Sequence, residues 1–195
     1  MKALEDKILS DGKYLGNGIL KVDSFVNHQV DPVLMMRCGE EFARQFKPLH
    51  ATRIITVEIS GIAPALTTGI ALGIPIVYAR KSKPITMPDI VLMSTAPSHT
   101  KGRIVEIMAS PEYLLPGERV LIVDDFLASG QTIQALVRII KAAGAELVGI
   151  GALIEKTFEG GRAALEPLGV PIVSLARIVS MDEGHITFAE SASAS

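Results

Sequence analysis

Two adjacent carboxylates, Asp124 and Asp125, follow an apolar run and precede a turn of small and hydroxyl-bearing residues. The full stretch reads Val120-Leu121-Ile122-Val123-Asp124-Asp125-Phe126-Leu127-Ala128-Ser129-Gly130-Gln131-Thr132. An ionised carboxylate only accepts hydrogen bonds, so a pair of them suits a diol, which offers two donors. Ala128, Ser129 and Gly130 let a backbone come close to an anion, and Gln131 and Thr132 open a helical pattern. Free N–H groups at a helix start, aided by the helix dipole, bind phosphate. The hydroxyls of Ser129 and Thr132 add donors. Acids for hydroxyls beside a cradle for phosphate are what a sugar phosphate requires. The plain alternative is an ordinary strand-turn-helix unit with two solvated acids. The turn lacks the Gly-Lys-Ser/Thr ending of a Walker A loop and the Gly-x-Gly-x-x-Gly of a dinucleotide fingerprint.

The elements that must position these groups are legible in outline. Val120 to Val123 suits a strand buried on both faces. Unpaired buried charge is costly, which places Asp124 and Asp125 at the strand's carboxyl end, near solvent or a ligand. Ile133, Leu136, Val137 and Ile140 hold the spacing of a one-sided helix, with Gly144 as its stop. Further helices are predicted over residues 2–11, 32–46, 63–72 and 161–168. Asp31-Pro32 offers an N-cap and a first-turn proline for the second of these. Strands are predicted over 19–22, 53–58, 75–80, 119–123, 146–154 and 171–176. This alternation implies an α/β domain, a parallel sheet with helices on both faces. Residues 82–111 break the pattern with Pro84, Pro88, Pro97 and Pro111 and two extended stretches, 91–95 and 103–109, predicting a long hairpin with a mobile tip.

The chain of 195 residues fits a single domain, 1–189, with residues 190–195 as a frayed tail of small polar residues. A net charge of −2 with both signs intermixed argues against a nucleic-acid surface. Cys38 is the only cysteine, which excludes an intrachain disulfide and reads as a small core residue. The four histidines show no metal-ligand spacing. Charges crowd the first seven residues where a signal peptide would need apolar ones, and no run is long enough to span a bilayer, so a cytoplasmic protein without membrane partners is expected.

The Asp-Asp segment resembles the phosphoribosyl-diphosphate (PRPP) signature of the type I phosphoribosyltransferases. Leu20-Lys21-Val22-Asp23-Ser24-Phe25-Val26-Asn27-His28-Gln29-Val30-Asp31-Pro32, Glu58-Ile59-Ser60-Gly61-Ile62-Ala63-Pro64 and Gly151-Ala152-Leu153-Ile154-Glu155-Lys156 resemble the xanthine-using branch of that family. The likeness runs in order and spacing to about Ala189. It implies a sheet with an N-terminal hood, a flexible hairpin over the bound substrate, and transfer of a phosphoribosyl group from PRPP to a 6-oxopurine in purine salvage. By that resemblance Asp124 and Asp125 are catalytic and hold the ribose hydroxyls, while Ala128, Ser129, Gly130, Gln131 and Thr132 grip the 5-phosphate. Lys156, as a donor-only ammonium, accepts a 6-oxo group and rejects a 6-amino group. Asn27 and the backbone of Leu20 meet the base from the hood, and Phe158 is a stacking candidate or a core residue. Ser60 and Gly61 meet the pyrophosphate, with Arg80 and Lys81 adding charge there or simply being solvated strand-end cations. Mg2+ is expected, bound mainly through PRPP and pyrophosphate with no direct protein ligand. A homodimer is expected by resemblance. Family hairpins commonly carry Ser-Tyr near the tip, where this chain reads Thr95-Ala96-Pro97-Ser98-His99-Thr100. The alternatives are a hypoxanthine/guanine-using enzyme and a PRPP-sensing regulator without turnover. A receiver domain also uses paired acids, but expects them after its first strand.

Overall fold

The computed structural model describes residues 1–97, 104–182 and 185–189. In chain order it runs α1 (Lys2–Asp11), β1 (Lys13–Tyr14), β2 (Leu20–Lys21), α2 (Pro32–Phe46), β3 (Arg53–Val57), α3 (Ile62–Leu72), β4 (Ile76–Ala79), β5 (Leu92–Pro97), β6 (Ile104–Ala109), β7 (Arg119–Leu127), α4 (Gln131–Ala142), β8 (Glu146–Lys156), α5 (Gly161–Leu165), β9 (Ile172–Asp182) and β10 (His185–Phe188). A central six-stranded sheet has the order β10-β9-β8-β7-β3-β4. All its pairings are parallel except β9 with β10. β4 follows β3 to one side, whereas β8 follows β7 to the other, so the chain reverses its winding between β3 and β7. Ligands of open α/β sheets bind outside the carboxyl ends of the strands at such a reversal.

The predicted layers are present. Alternation along β3 and β7 sends Ile54, Leu121 and Val123 to one face and Ile55, Val120 and Ile122 to the other. α1, α2 and α3 cover the first face. The second is covered by α4, Leu165 of α5, and Ala96 and Ile107 of the β5–β6 hairpin. α2 is set by its ends: Asp31 Oδ1 accepts from the Leu34 N–H at 3.0 Å, and Pro32 occupies the first turn. Its Phe42 and Phe46 stack at 6.0 Å between ring centroids. They lie against Gly149 and Gly151 of β8, where an added Cβ would sit 3.0 Å from Phe42 and 3.1–3.2 Å from Phe46.

Several predicted elements are trimmed at their ends, most of all the helix expected over 161–168, whose α-helical part stops at Leu165, while three strands run on past the sequence reading. β7 does not end at Val123 but continues through both acids to Leu127, because β8 runs alongside it, pairing Asp124 with Ala152 and Leu127 with Glu155. β8 correspondingly reaches Lys156. β9 runs on to Asp182 because β10, a strand the periodicity did not mark, pairs with it. The hairpin is present, in register from Leu92↔Ala109 to Pro97↔Ile104. Ser98, His99 and Thr100 of the expected tip and the 190–195 tail lie outside the described residues. Among the described residues, no helix is long and apolar enough to cross a membrane.

Candidate active site

β3 stops at Val57 while β7 and β8 project beyond it, and the space above the shorter strand is a cavity of about 1040 Å³. Its floor is Asp124, Asp125 and Phe126 on β7, with the turn Ala128-Ser129-Gly130 and the α4 start Gln131-Thr132 at one side. The β3–α3 turn contributes Glu58, Ile59 and Ser60, and Lys81 follows β4. Lys156, Phe158 and Glu159 come from the end of β8. Asn17, Gly18, Ile19 and Leu20 of the β1–β2 ribbon form a hood, and the β5–β6 hairpin supplies a wall through Ala96, Pro97, Val105 and Ile107. The hairpin is pinned to α4 by Arg138, which donates to Ser94 Oγ at 2.8 Å and to the Thr95 carbonyl at 2.7 Å.

The acids are not solvated. Asp124 is only 5% exposed, and Asp125 is half-buried. Burial, followed by the neighbouring Asp125 carboxylate, pushes the Asp124 carboxyl well above the ordinary range. Burial also raises Asp125, against hydrogen bonds from Asp124 and the backbone. The Asp125 N–H donates to Asp124 Oδ1 at 3.0 Å. Gly61 lies outside the cavity lining but directly beneath it: a Cβ there would collide with the Thr56 hydroxyl and the Asp124 carboxylate. A buried acid pair of this kind favours a ligand that brings hydroxyl donors or positive charge.

The small-residue turn has the shape of an anion cradle. Gly130 has φ +77, a left-handed conformation that suits glycine, and caps α4, whose first residues Gln131, Thr132 and Ile133 line the cavity. Gly161 packs directly underneath: its Cβ, if present, would strike the Ala128 carbonyl and sit 2.8 Å from the Gly130 nitrogen. Gly161→Ala should therefore open the turn. We expect a loss of about 1–3 kcal/mol in stability, read by denaturant titration, and at least a tenfold weaker affinity for the phosphorylated ligand, read by ligand-induced thermal shift.

Of the residues expected to be basic or base-reading, the structure brings Lys81, Leu20 and Lys156 to the cavity and leaves Arg80 and Asn27 outside it. Arg80 is engaged elsewhere: its Nε lies 2.7 Å from Glu58 Oε2 and its guanidinium 5.8 Å over the Tyr78 ring. The same Glu58 carboxylate accepts the Lys81 N–H at 2.7 Å, so it ties the end of β4 to the β3–α3 turn. Asn27 ends a short π-helical turn, Asp23–Asn27, and is exposed. Lys156 Nζ sits 3.2 Å from Glu159 Oε1 and 5.4 Å over the Phe126 ring. Phe158 is 47% exposed at the cavity, so it is not a core residue. Sequence reasoning passed over Asn17, Gly18, Glu58, Phe126 and Glu159. The Gly16-Asn17-Gly18 run, whose residues all have positive φ, is a turn signal it could have used.

A mostly parallel sheet with a reversal point carries an acid pair and a small-residue turn at its carboxyl edge, the arrangement that a phosphorylated sugar would need. Residues 41–190 match the phosphoribosyl transferase domain, and the chain belongs to that family. It is 53% identical over 184 residues to the xanthine phosphoribosyltransferase of Deinococcus deserti, covering 94% of this chain and 95% of that protein. Against the protein of the same name from Pseudomonas fluorescens (strain Pf0-1), identity is 48% over 190 residues, 97% of this chain and all of the relative. Among solved structures, the adenine phosphoribosyltransferase of Thermoanaerobacter pseudethanolicus superposes with a TM-score of 0.72 at 27% identity, over 89% of this chain and 99% of that one.

Proposed function

We propose that this chain is a xanthine phosphoribosyltransferase, which transfers the 5-phosphoribosyl group of PRPP to xanthine to give xanthosine monophosphate and pyrophosphate. One observation carries the reading: a single cavity joins the acid pair, the anion cradle and Lys156, in a chain about half identical over nearly its whole length to proteins of that name. Bond breaking at C1 of the ribose leaves a cation-like carbon, so the protein's tasks are positioning and charge stabilisation. Asp124 and Asp125 accept hydrogen bonds from the two ribose hydroxyls. Ala128 to Thr132 hold the 5-phosphate by backbone and hydroxyl donors. Ser60, Gly61 and Lys81 serve the pyrophosphate, and Arg80 holds Glu58, which in turn holds Lys81. Lys156 donates to the 6-oxygen of the base. Leu20 meets the base from the hood, whereas Asn27 is exposed outside the cavity lining and takes no part in this reading.

Among the described residues no group of three or more His, Cys, Asp or Glu is placed to hold a metal ion, so a divalent cation at this site would depend on the oxygens of PRPP. Magnesium, bound mainly through the oxygens of PRPP, would neutralise the departing pyrophosphate. We further propose a cytoplasmic homodimer working in purine salvage. Leu66 and Ile70 of α3 are exposed apolar side chains four positions apart on one helix, which suits a second copy.

The test is to mix the protein with labelled PRPP, magnesium and xanthine, hypoxanthine or guanine in competition, and to follow nucleotide formation. PRPP binding without product from any of the three bases would make the chain a sensor and not an enzyme. Lys156→Ala should raise KM for the base by about 10- to 100-fold, the cost of a charged hydrogen bond, and leave KM for PRPP in place. An unchanged KM for xanthine would remove Lys156 from base recognition.

A further inference from the structure

We propose that Glu159 is a second base-reading residue, its carboxylate accepting the N1–H of a 6-oxopurine while Lys156 donates to the adjacent 6-oxygen. The assignment rests on the reading of the chain as a 6-oxopurine transferase and adds a discriminating contact to it. Glu159 follows Lys156 by three residues in the short 3-10 turn Thr157–Glu159, and Gly160, at φ +75, ends that turn. This geometry sets the Glu159 carboxylate beside the Lys156 ammonium, 3.2 Å away, with both side chains lining the cavity. The Phe126 ring lies beneath the ammonium at 5.4 Å, so Lys156 is fixed from two sides. Opposite Glu159 the hood presents Gly18, where even an added Cβ would stand 4.0 Å from Glu159 Oε1.

A carboxylate offers about four acceptor positions, more than a single ion pair occupies. A donor and an acceptor held side by side match one edge of a 6-oxopurine, on which the 6-oxygen accepts and the neighbouring N1–H donates. Adenine presents the reverse order, a 6-amino donor beside an N1 acceptor, and would face both protein groups with the wrong polarity. Lys156 alone reads one position of that edge. The pair reads two, and it does so with charged groups in a partly buried site, where a mismatch leaves a polar group unpaired. Because N1 lies between the 6- and 2-positions, the residue at 159 also touches the choice of 2-substituent. A glutamine there would keep an acceptor for N1–H and bring an amide donor toward a 2-oxo group.

The test compares hypoxanthine with 1-methylhypoxanthine, which lacks the N1–H, in the parent protein and in Glu159→Ala and Glu159→Gln. The parent should prefer hypoxanthine strongly. Glu159→Ala should lower kcat/KM for hypoxanthine by about 10- to 100-fold and leave the methylated base nearly unaffected, so that the preference collapses. Glu159→Gln should recover most of the hypoxanthine activity and raise xanthine relative to hypoxanthine. The thermal stabilisation by PRPP with magnesium should be equal in all three proteins, which shows that the variants fold and bind the sugar. An equal fall for both bases in Glu159→Ala would mean that Glu159 only steadies Lys156, and would overturn the assignment, as would no fall at all. If the parent uses xanthine alone, xanthine and 1-methylxanthine take the place of this pair; a parent that binds PRPP but forms no nucleotide from xanthine, hypoxanthine or guanine would instead overturn the transferase reading on which the assignment stands.

Discussion

Asp124→Asn should abolish most turnover and yet leave the empty protein more stable than its parent. Asp124 is held in a buried strand position, and burial and Asp125 push its carboxyl well above the usual value of 3.8. A raised folded pKa means that the native state keeps its proton to a higher pH than the unfolded chain does. The stability that the neutral carboxyl contributes is fully present below 3.8, where the unfolded group is also protonated, and is lost as pH climbs through the folded value. Asparagine is neutral throughout and can still accept the Asp125 N–H through its Oδ1. Its advantage is therefore absent below 3.8 and grows as pH rises from there towards the folded value. In a chain of this size each kcal/mol of relief raises Tm by about 2–4 °C. Loss of one charged group that steadies a developing cation lowers kcat by on the order of 10²–10³. Thermal melts across pH 3–8, paired with turnover assays, check both halves. A Tm that falls at neutral pH would refute the buried-charge account.

A second replacement, Glu155→Ala, is expected to act in the opposite sense, costing about 3 kcal/mol because it removes the buried partner of an ion pair. Glu155 is only 1% exposed. It accepts two hydrogen bonds from Arg162, at 2.8 and 2.6 Å, and lies 3.3 Å from Arg177. Burial alone would raise its carboxyl, but the hydrogen bonds from Arg162 and Ser174 and the charges of Arg162 and Arg177 outweigh it and hold the carboxyl below the usual 4.5. A lowered folded pKa gives stability that is present above 4.5 and is lost as pH falls through the folded value. The deficit of the variant should thus appear as a Tm about 6–12 °C lower at neutral pH, and shrink in acid. Arg162 directly follows Gly161, the residue on which the phosphate turn rests, so PRPP affinity should fall as well. A variant that melts like its parent at neutral pH would show the cluster to be ornamental.

What could be read from the chain was what local pattern controls. The apolar run before Asp124, the small turn and the one-sided α4 lie within one window, and Asp31-Pro32 marked the start of α2 to the residue. What could not be read depends on partners distant in sequence. β7 passes through two acids, poor strand formers, only because β8 continues beside it, and β9 outlasts its apolar stretch only because β10 turns back onto it. Arg80 looked available for a ligand because nothing near it in sequence announces that Glu58, twenty-two positions earlier, takes up its charge. Glu159 was overlooked for a related reason, since its place at the cavity follows from a turn that forms only after β8 ends at Lys156.

The stacked phenylalanines of α2 and the two bare positions of β8 carry an evolutionary corollary. Residues 42, 46, 149 and 151 share one fixed volume between helix and sheet. Lineages that acquire a methyl group at 149 or 151 should be found to have trimmed a ring at 42 or 46. Among relatives, these four sites should drift as a linked set and not one by one.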